Sequence, residues 1–201
     1  MVAGVVLAGG RSTRFGESDK AVANLAGTPM IRRVADRLAG VVNELVVNCR
    51  ADQREAIADA LADYERPVRF AIDPEPDEGP MAGIRTGLRA VEAEYAVVVA
   101  CDMPFLDSEL VEYLFERAAG RGAAVPRPGE WFETTHAVYR AEPMADACDD
   151  ALERGEGKII EPLFELDYAV VGEEDLENFD AQSFENVNTR EEFEAAAAQF
   201  E

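Results

Sequence analysis

Short apolar runs rich in valine alternate along this chain with segments of helical periodicity. The runs with the length and composition of buried strands are residues 2–8, 44–49, 68–72 and 95–101. The first and last are apolar on both faces, as strands buried inside a parallel sheet are. Between the runs, apolar side chains recur every three or four positions, which indicates helices packed against the strands. The pattern predicts a Rossmann-like, doubly wound α/β fold, with a mostly parallel sheet and helices on both faces.

Several of the predicted helices have marked ends. The first has Thr28 as its cap and Pro29 as its first residue, and the second covers about 51–63. A third begins at Pro80, and a fourth follows Asp107, which is its expected cap. Strand and helix therefore alternate four times in the first half of the chain.

The second half has a weaker pattern. The elements expected there are strands at 122–126, 131–139 and 168–171 and helices at 141–153 and 158–165. Thr189 and Glu192 have the spacing of a capping box for a last helix. Because no repeat or linker-like break interrupts the chain, we predict a single domain over residues 1–201.

Composition narrows the class of protein. The chain has 201 residues, of which 48% are hydrophobic, and its 41 acidic against 19 basic residues give a net charge of −22. A protein that coats nucleic acid must neutralise phosphates with an excess of basic residues, so this composition excludes that class. No apolar stretch has the length of a membrane span or the form of a signal peptide, so we expect a cytoplasmic protein with no membrane contact. Three cysteines without a C-x-x-C pair predict reduced thiols.

The most informative segment is the loop after the first strand. It begins with Leu7, Ala8, Gly9 and Gly10. Gly9 and Gly10 let the backbone approach a ligand closely and expose N–H groups to an anion. Arg14 and Lys20 add positive charge, so a nucleoside triphosphate fits the loop. The alternative is an ordinary glycine turn beside surface cations, but this loop holds one of only two lysines in the chain.

Polar side chains also stand at the ends of the other early strands. Asp102 follows the fourth strand and suits Mg²⁺, which prefers oxygen ligands; its alternative role, a turn or cap residue, is better filled by Asp107. Asp73 ends the third strand and could orient a nucleotide or a metal, or belong to an acidic surface loop. Asn48 closes the second strand and could bind a base or ribose, or be a turn residue. Parallel strands bind ligands at this edge, so these groups predict a nucleotide site.

Four blocks, in order along the chain, resemble the molybdenum cofactor guanylyltransferases, the MobA type of nucleotidyltransferase. The blocks are the loop at 7–20, Asp73 with Gly-Pro-Met-Ala-Gly at 79–83, Ala-Cys-Asp-Met-Pro-Phe at 100–105, and Asn-Val-Asn-Thr at 186–189. The resemblance implies a fold like that of the nucleotide-diphospho-sugar transferases. The Gly9–Gly10 pair is similar to the guanylyl enzymes of the family, whereas the cytidylyl enzymes carry Ala-Gly there.

The resemblance also implies a role for each matching residue. The residues implied for binding GTP and the second substrate are Leu7, Ala8, Gly9, Gly10, Lys20, Asn48, Asp73, Asp102, Asn186 and Asn188. Of these, Asp102 would hold Mg²⁺, and Asn186 and Asn188 would lie near molybdopterin unless they only cap the last helix. The catalytic residues would be Arg14, Lys20 and Asp102.

The activity implied by the resemblance is transfer of GMP from GTP to molybdopterin, with or without its molybdenum, and release of pyrophosphate. The attacking phosphate is already anionic, so no general base is needed, and we expect the single histidine, His136, to be structural or peripheral. Transient contact with molybdoenzymes would follow. The alternatives are a related transferase that uses CTP or a sugar or cobinamide phosphate, and a non-catalytic nucleotide-binding or cofactor-carrier protein.

The acidic surface generates a first prediction. Like charges spread along the whole chain oppose compaction in dilute salt, whereas molar salt shortens the Debye length to about 3 Å. We therefore expect the melting temperature to rise between dilute and molar KCl, as in a protein adapted to a cytosol of high ionic strength. A thermal melt at each concentration measures this, and a melting temperature that does not rise would contradict the adaptation.

Overall fold

The protein is described by a computed structural model that covers residues 1–10, 19–75 and 78–200. A seven-stranded sheet lies at its centre. The strands in chain order, including two that form a small separate hairpin, are β1 (Val2–Leu7), β2 (Asn24–Leu25), β3 (Thr28–Pro29), β4 (Glu44–Cys49), β5 (Val68–Ile72), β6 (Tyr95–Ala100), β7 (Ala123–Pro126), β8 (His136–Arg140) and β9 (Tyr168–Val171).

Helices cover both faces of this sheet. They are α1 (Met30–Leu38), α2 (Arg54–Ala60), α3 (Pro80–Arg89), α4 (Ser108–Ala118), α5 (Ala141–Glu153), α6 (Ile160–Leu163), α7 (Glu173–Leu176) and α8 (Arg190–Ala197). Two short 3₁₀ turns cover Lys20–Val22 and Ala181–Phe184. Among the described helices, none has the length and apolar character needed to cross a bilayer.

The strand order is β5-β4-β1-β6-β8-β7-β9. The first four of these strands are mutually parallel, and β8 then runs antiparallel to both β6 and β7. The chain leaves β1 towards β4 and β5 and returns to the other side of β1 at β6, so the order reverses between β1 and β6. Doubly wound sheets bind ligands at such a reversal. The predicted fold class is confirmed.

Alternate side chains of the central strand β1 pack on opposite faces of the sheet. Val6 belongs to a buried cluster with Leu38 of α1 and Leu110 of α4. Its neighbour Val5 belongs to a second cluster that includes Ile84 of α3 and side chains of α5. Each such side chain contributes about 1.5–3 kcal/mol when fully buried. The two cores hold β1 rigidly, and with it the loop that follows.

Many predicted elements match the structure closely. The strands at 44–49, 68–72 and 168–171 and the helix at 141–153 have the predicted bounds, and β1 and β6 each end one residue early. The cap at Asp107 is present, since its side chain accepts a hydrogen bond from the Glu109 amide at 2.9 Å. The capping box of Thr189 and Glu192 also forms. The three cysteines are free thiols, as expected.

The predicted start of the first helix is wrong. Thr28 is not its cap and Pro29 is not its first residue, because both lie in β3 and pair with β2. The turn between these strands has positive φ at Ala26 (48°) and Gly27 (84°), the backbone that a two-residue hairpin requires. The hairpin keeps Thr28 and Pro29 extended, and α1 begins at Met30.

Three later boundaries are also wrong. The second helix covers Arg54–Ala60 instead of 51–63, the helix at 158–165 is only Ile160–Leu163, and the strand at 131–139 is only His136–Arg140. In the last case the neighbouring strand β7 ends at Pro126, which has no amide to donate to a longer ladder.

His136 is part of the core. Its side chain is fully buried, and its ring centroid lies 5.0 Å from that of Phe184. Burial lowers the pKa of His136 to about 4, so the imidazole is neutral at pH 7. This environment agrees with the structural role expected from the sequence.

Candidate functional site

A cavity of about 400 Å³ opens at the carboxyl ends of β1, β4 and β5. Its lining includes the predicted residues Leu7, Gly9, Gly10, Asn48 and Asp73. Leu7 ends β1 and pairs with Asn48 of β4 on one side and with Ala100 of β6 on the other. The register of the sheet therefore brings these strand ends to one place, as the sequence predicted.

Asn48 and Asp73 form the floor of this cavity. Asn48 is 2% exposed, and its Nδ2 donates to Asp73 Oδ1 at 2.6 Å and to the Ala71 carbonyl at 3.2 Å. A Cβ at Gly9 would lie 2.5 Å from Asp73 Oδ2, and one at Gly83 would lie 2.6 Å from Asn48 Oδ1. Any larger residue at these two positions would force Asp73 or Asn48 to move, and Asp73 Oδ2 and Asn48 Oδ1 accept no hydrogen bond from the described residues.

The described start of the loop after β1, residues 8–10, accepts hydrogen bonds at its backbone carbonyls. Ala8 is anchored to β4, since its N–H donates to the Asn48 carbonyl at 2.8 Å. The N–H groups of Gly9 and Gly10 donate to no residue that the structure describes. Free amides in a glycine loop are the groups that bind a phosphate.

Lys20 lies next to this loop and is only 7% exposed. Its Nζ donates to Asp102 Oδ2 at 2.5 Å and to Asn188 Oδ1 at 3.0 Å. An ammonium group has three N–H donors, and these two contacts are its only hydrogen bonds to described residues. The third donor of Lys20 is therefore open to a further acceptor, such as a phosphate oxygen.

Asp102 has one oxygen without a partner. Oδ2 contacts Lys20, whereas Oδ1 is buried and accepts no hydrogen bond from the described chain. Leaving a buried carboxylate oxygen unpaired is costly, which favours a bound cation there. The side chain does not cap α4, because Asp107 does. Within residues 1–10, 19–75 and 78–200, no group of three or more His, Cys, Asp or Glu side chains could enclose a metal.

The two thiols near the site are poor nucleophiles. Burial, with a smaller effect of Asp73, raises the pKa of Cys49 to about 11. Burial also raises the pKa of Cys101, and the neighbouring carboxylate of Asp102 adds to that rise. Both thiols stay protonated at neutral pH, so neither is available for covalent catalysis.

Two of the predicted site residues, Arg14 and Asn186, are not among those that the structure brings together at the cavity or the Lys20–Asp102 pair. Arg14 lies outside the described residues. Asn186 lines a separate groove with Phe105 and Val187, whereas Asn188 contacts Lys20. The backbone amide of Asn188 also donates to Glu192 of the capping box, at 2.6 Å, so its capping role and its contact with Lys20 coexist.

Residues that the sequence analysis missed also contact the loop. Arg50 donates to the carbonyls of Gly9 and Gly10, and Gln53 donates to the carbonyl of Ala8. Thr135, from the irregular segment before β8, lines the cavity. Arg50 could have been found, since it directly follows β4 at the ligand-binding edge. Gln53 and Thr135 carry no comparable signal.

The chain has close relatives among known proteins. A family model described as the MobA-like NTP transferase domain matches residues 4–168. A protein of Natronomonas pharaonis named probable molybdenum cofactor guanylyltransferase is 56% identical over 194 residues, 96% of this chain and 95% of the relative. A protein of Haloferax mediterranei with the same name is 40% identical over 197 residues, 98% of this chain and 93% of the relative.

A solved structure agrees with these relatives. The crystal structure of molybdopterin-guanine dinucleotide biosynthesis protein A from Archaeoglobus fulgidus matches with a TM-score of 0.80 and 30% identity, and the match covers 98% of each chain. The family resemblance predicted from the four sequence blocks is confirmed. The chain belongs to the MobA-like NTP transferase family and is a nucleotidyltransferase.

Proposed function

We propose that this protein transfers GMP from GTP to molybdopterin or its molybdenum form and releases pyrophosphate. One arrangement carries the proposal: Gly9 and Gly10, whose N–H groups donate to no described residue, line a cavity together with Ala100, which stands two residues before Asp102 of the Lys20–Asp102 pair. The relatives named molybdenum cofactor guanylyltransferase support guanine as the base and a molybdopterin as the acceptor.

The cavity and the loop offer different hydrogen-bonding groups, and each suits a different part of the nucleotide. The base and ribose occupy the cavity, where Asn48 and Asp73 offer oxygen acceptors. The triphosphate lies along the loop, where it accepts hydrogen bonds from the amides of Gly9 and Gly10 and from the third donor of Lys20. Arg14 lies outside the described residues, and the family resemblance implies it as a further cation for the triphosphate.

In the reaction, a terminal phosphate oxygen of the acceptor attacks the α-phosphorus of GTP in line. A new P–O bond forms as the bond between the α-phosphorus and its bridging oxygen breaks, and pyrophosphate leaves with the electron pair. The attacking oxygen is already anionic, so no side chain has to remove a proton. Lys20 and the loop amides act by aligning the reactants and offsetting the charge on the departing pyrophosphate.

The site also fits a magnesium ion, and the unpaired oxygen of Asp102 is the group that would hold it. Mg²⁺ commonly takes one carboxylate and fills its remaining positions with phosphate oxygens and water. When bound, it supplies positive charge to the phosphates. We place Asn188 and the groove around Asn186 on the side of the acceptor. The proposal further includes a cytoplasm of high ionic strength as the place of action and transient contact with molybdoenzymes.

A nucleotide panel tests the proposed activity directly. GTP, CTP, ATP and UTP are compared by Mg²⁺-dependent thermal shift, and pyrophosphate release is then followed in the presence of molybdopterin. We expect the largest shift with GTP and release only when both substrates are present. A larger shift with CTP would contradict the choice of guanine, and binding without release would support a carrier protein.

Removing the lysine tests its role in the reaction. We expect Lys20→Ala to lower turnover about 10²–10³-fold, as loss of one group that stabilises developing charge typically does. Pyrophosphate release under saturating substrates measures this. The matched control is Lys158→Ala, which changes the other lysine, an exposed residue, and should leave turnover unchanged. Near-normal turnover of Lys20→Ala would show that the lysine has no catalytic part.

Removing the charge of Asp102 tests the metal site. Asp102→Asn keeps the shape of the side chain but replaces one oxygen by an amide, so we expect Mg²⁺-dependent transfer to be abolished. A titration of turnover against Mg²⁺ measures the effect. Asp107→Asn serves as the control, because asparagine caps a helix about as well as aspartate. An unchanged response of Asp102→Asn to Mg²⁺ would mean that another carboxylate holds the metal.

A further inference from the structure

We propose that Arg50 and Gln53 are positioning residues that turn the amides of Gly9 and Gly10 towards the triphosphate. Both lie in the turn that connects β4 to α2, and both contact the loop from outside the cavity lining. The inference rests on the proposed binding of a nucleoside triphosphate in this loop and concerns how the loop is prepared for it.

Gln53 joins the two ends of the loop. It is 2% exposed, and its Nε2 donates to the Ala8 carbonyl at 2.9 Å and to Asp19 Oδ2 at 2.6 Å. Its Oε1 accepts a hydrogen bond from the Arg50 amide at 3.0 Å. Every polar atom of this buried side chain is therefore used, and one amide group holds the residue before Gly9 and the residue before Lys20 together.

Arg50 holds the next two peptide units. Its Nη1 donates to the carbonyl of Gly9 at 3.0 Å and to that of Gly10 at 3.1 Å. Asp52 orients the guanidinium, since Nε and Nη2 of Arg50 donate to its two carboxylate oxygens at 3.1 and 3.3 Å. Three successive carbonyls, from Ala8 to Gly10, are thus held by two side chains of one turn.

Fixing a carbonyl also fixes the amide in the same peptide unit. A trans peptide is planar, and its C=O and N–H groups point in opposite directions. Gln53 holds the Ala8 carbonyl, so the Gly9 N–H points away from Gln53. Arg50 holds the Gly9 carbonyl, so the Gly10 N–H points away from Arg50. Neither of these two N–H groups donates a hydrogen bond to a residue that the structure describes.

The two glycines are the reason that the orientation of these peptide units has to be held by side chains. Peptide units beside glycine turn over at little steric cost, because both signs of φ are open to it. Without the contacts of Arg50 and Gln53, the carbonyl oxygens of the loop could face the phosphates and repel them. The guanidinium prevents this and places a further positive charge beside the loop in a chain that has few cations.

A positioning role differs from a merely structural one in what it changes. If the two residues only supported the fold, their loss would weaken binding of the base and of the phosphates alike. If they aim the amides, their loss weakens binding of a triphosphate and leaves binding of the nucleoside unchanged. Guanosine, which has no phosphate, is therefore the reference ligand for GTP.

The test measures dissociation constants for GTP with Mg²⁺ and for guanosine by competition against a fluorescent guanosine. Gln53→Met keeps the length of the side chain without adding charge, and Arg50→Lys keeps the charge but loses the forked geometry. We expect each variant to bind GTP about tenfold more weakly, the effect of one lost charge-assisted hydrogen bond. Binding of guanosine should stay unchanged. Arg50→Lys maintains the test if Gln53→Met fails to fold.

Matched controls carry the same substitutions elsewhere. Gln182→Met removes a glutamine whose amide contacts Gln199, far along the chain from the loop. Arg32→Lys changes an arginine that, like Arg50, donates to an aspartate and to a backbone carbonyl, here Asp36 and the carbonyl of Asp63. Both controls should bind GTP and guanosine as the unmodified protein does.

Two results would overturn the positioning role: an equal loss of affinity for GTP and guanosine, or no loss for either ligand. Failure of the proposed function is seen separately, in the unmodified protein. If that protein prefers another nucleotide, the choice of GTP is wrong, and the variants are compared with that triphosphate and its nucleoside. If it binds nucleoside and triphosphate equally, the loop binds no phosphate and the positioning role is also wrong.

Discussion

The contact between Lys20 and Asp102 is the interaction on which the site depends. The two residues are 82 positions apart and meet only because β1 and β6 lie side by side. Burying an ion pair costs desolvation free energy, which is recovered only with good geometry and further hydrogen bonds. Lys20 gains one such bond from Asn188, whereas one oxygen of Asp102 gains none from the residues that the structure describes. The pair is thus better arranged for a third charged group than for stability alone.

The positive charge of Lys20 matters more for binding an anion in this acidic chain than it would in a protein without net charge. The protein carries a net charge of −22, so its long-range field repels an anionic nucleotide. Affinity must then come from short-range contacts with a few cations and free amides. In the proposed function, Lys20 and the amides of Gly9 and Gly10 supply such contacts, while Arg50 holds the loop through the carbonyls of Gly9 and Gly10. Carboxylates also line the cavity itself, at Asp73, Glu75 and Glu78, so acidic side chains lie close to the groups proposed to bind phosphate.

The parts of the fold and site that short-range patterns control could be predicted from the sequence. Buried strands follow from apolar runs, and the residues after them, such as Asp73 and Asp102, follow from the rule that parallel strands end together. Features that depend on contacts between distant segments could not be predicted in this way. Gln53 is an ordinary polar residue in the sequence, and only the fold brings it from the turn before α2 into contact with the Ala8 carbonyl and Asp19. The hairpin at Thr28 overrode a plausible helix start for a similar reason.

The pairing of β1, β4 and β5 decides which side chains line the cavity. Asn48 lies opposite Leu7 and Ala71, and this alignment sends its amide towards Asp73. Side chains in a strand alternate between faces, so a shift of β4 by one position would turn Asn48 away and bring Val47 or Cys49 in its place. The contact between Asn48 and Asp73 in the cavity therefore depends on the register of the sheet, and a misaligned chain that still buried its valines would be compact yet would lack that contact.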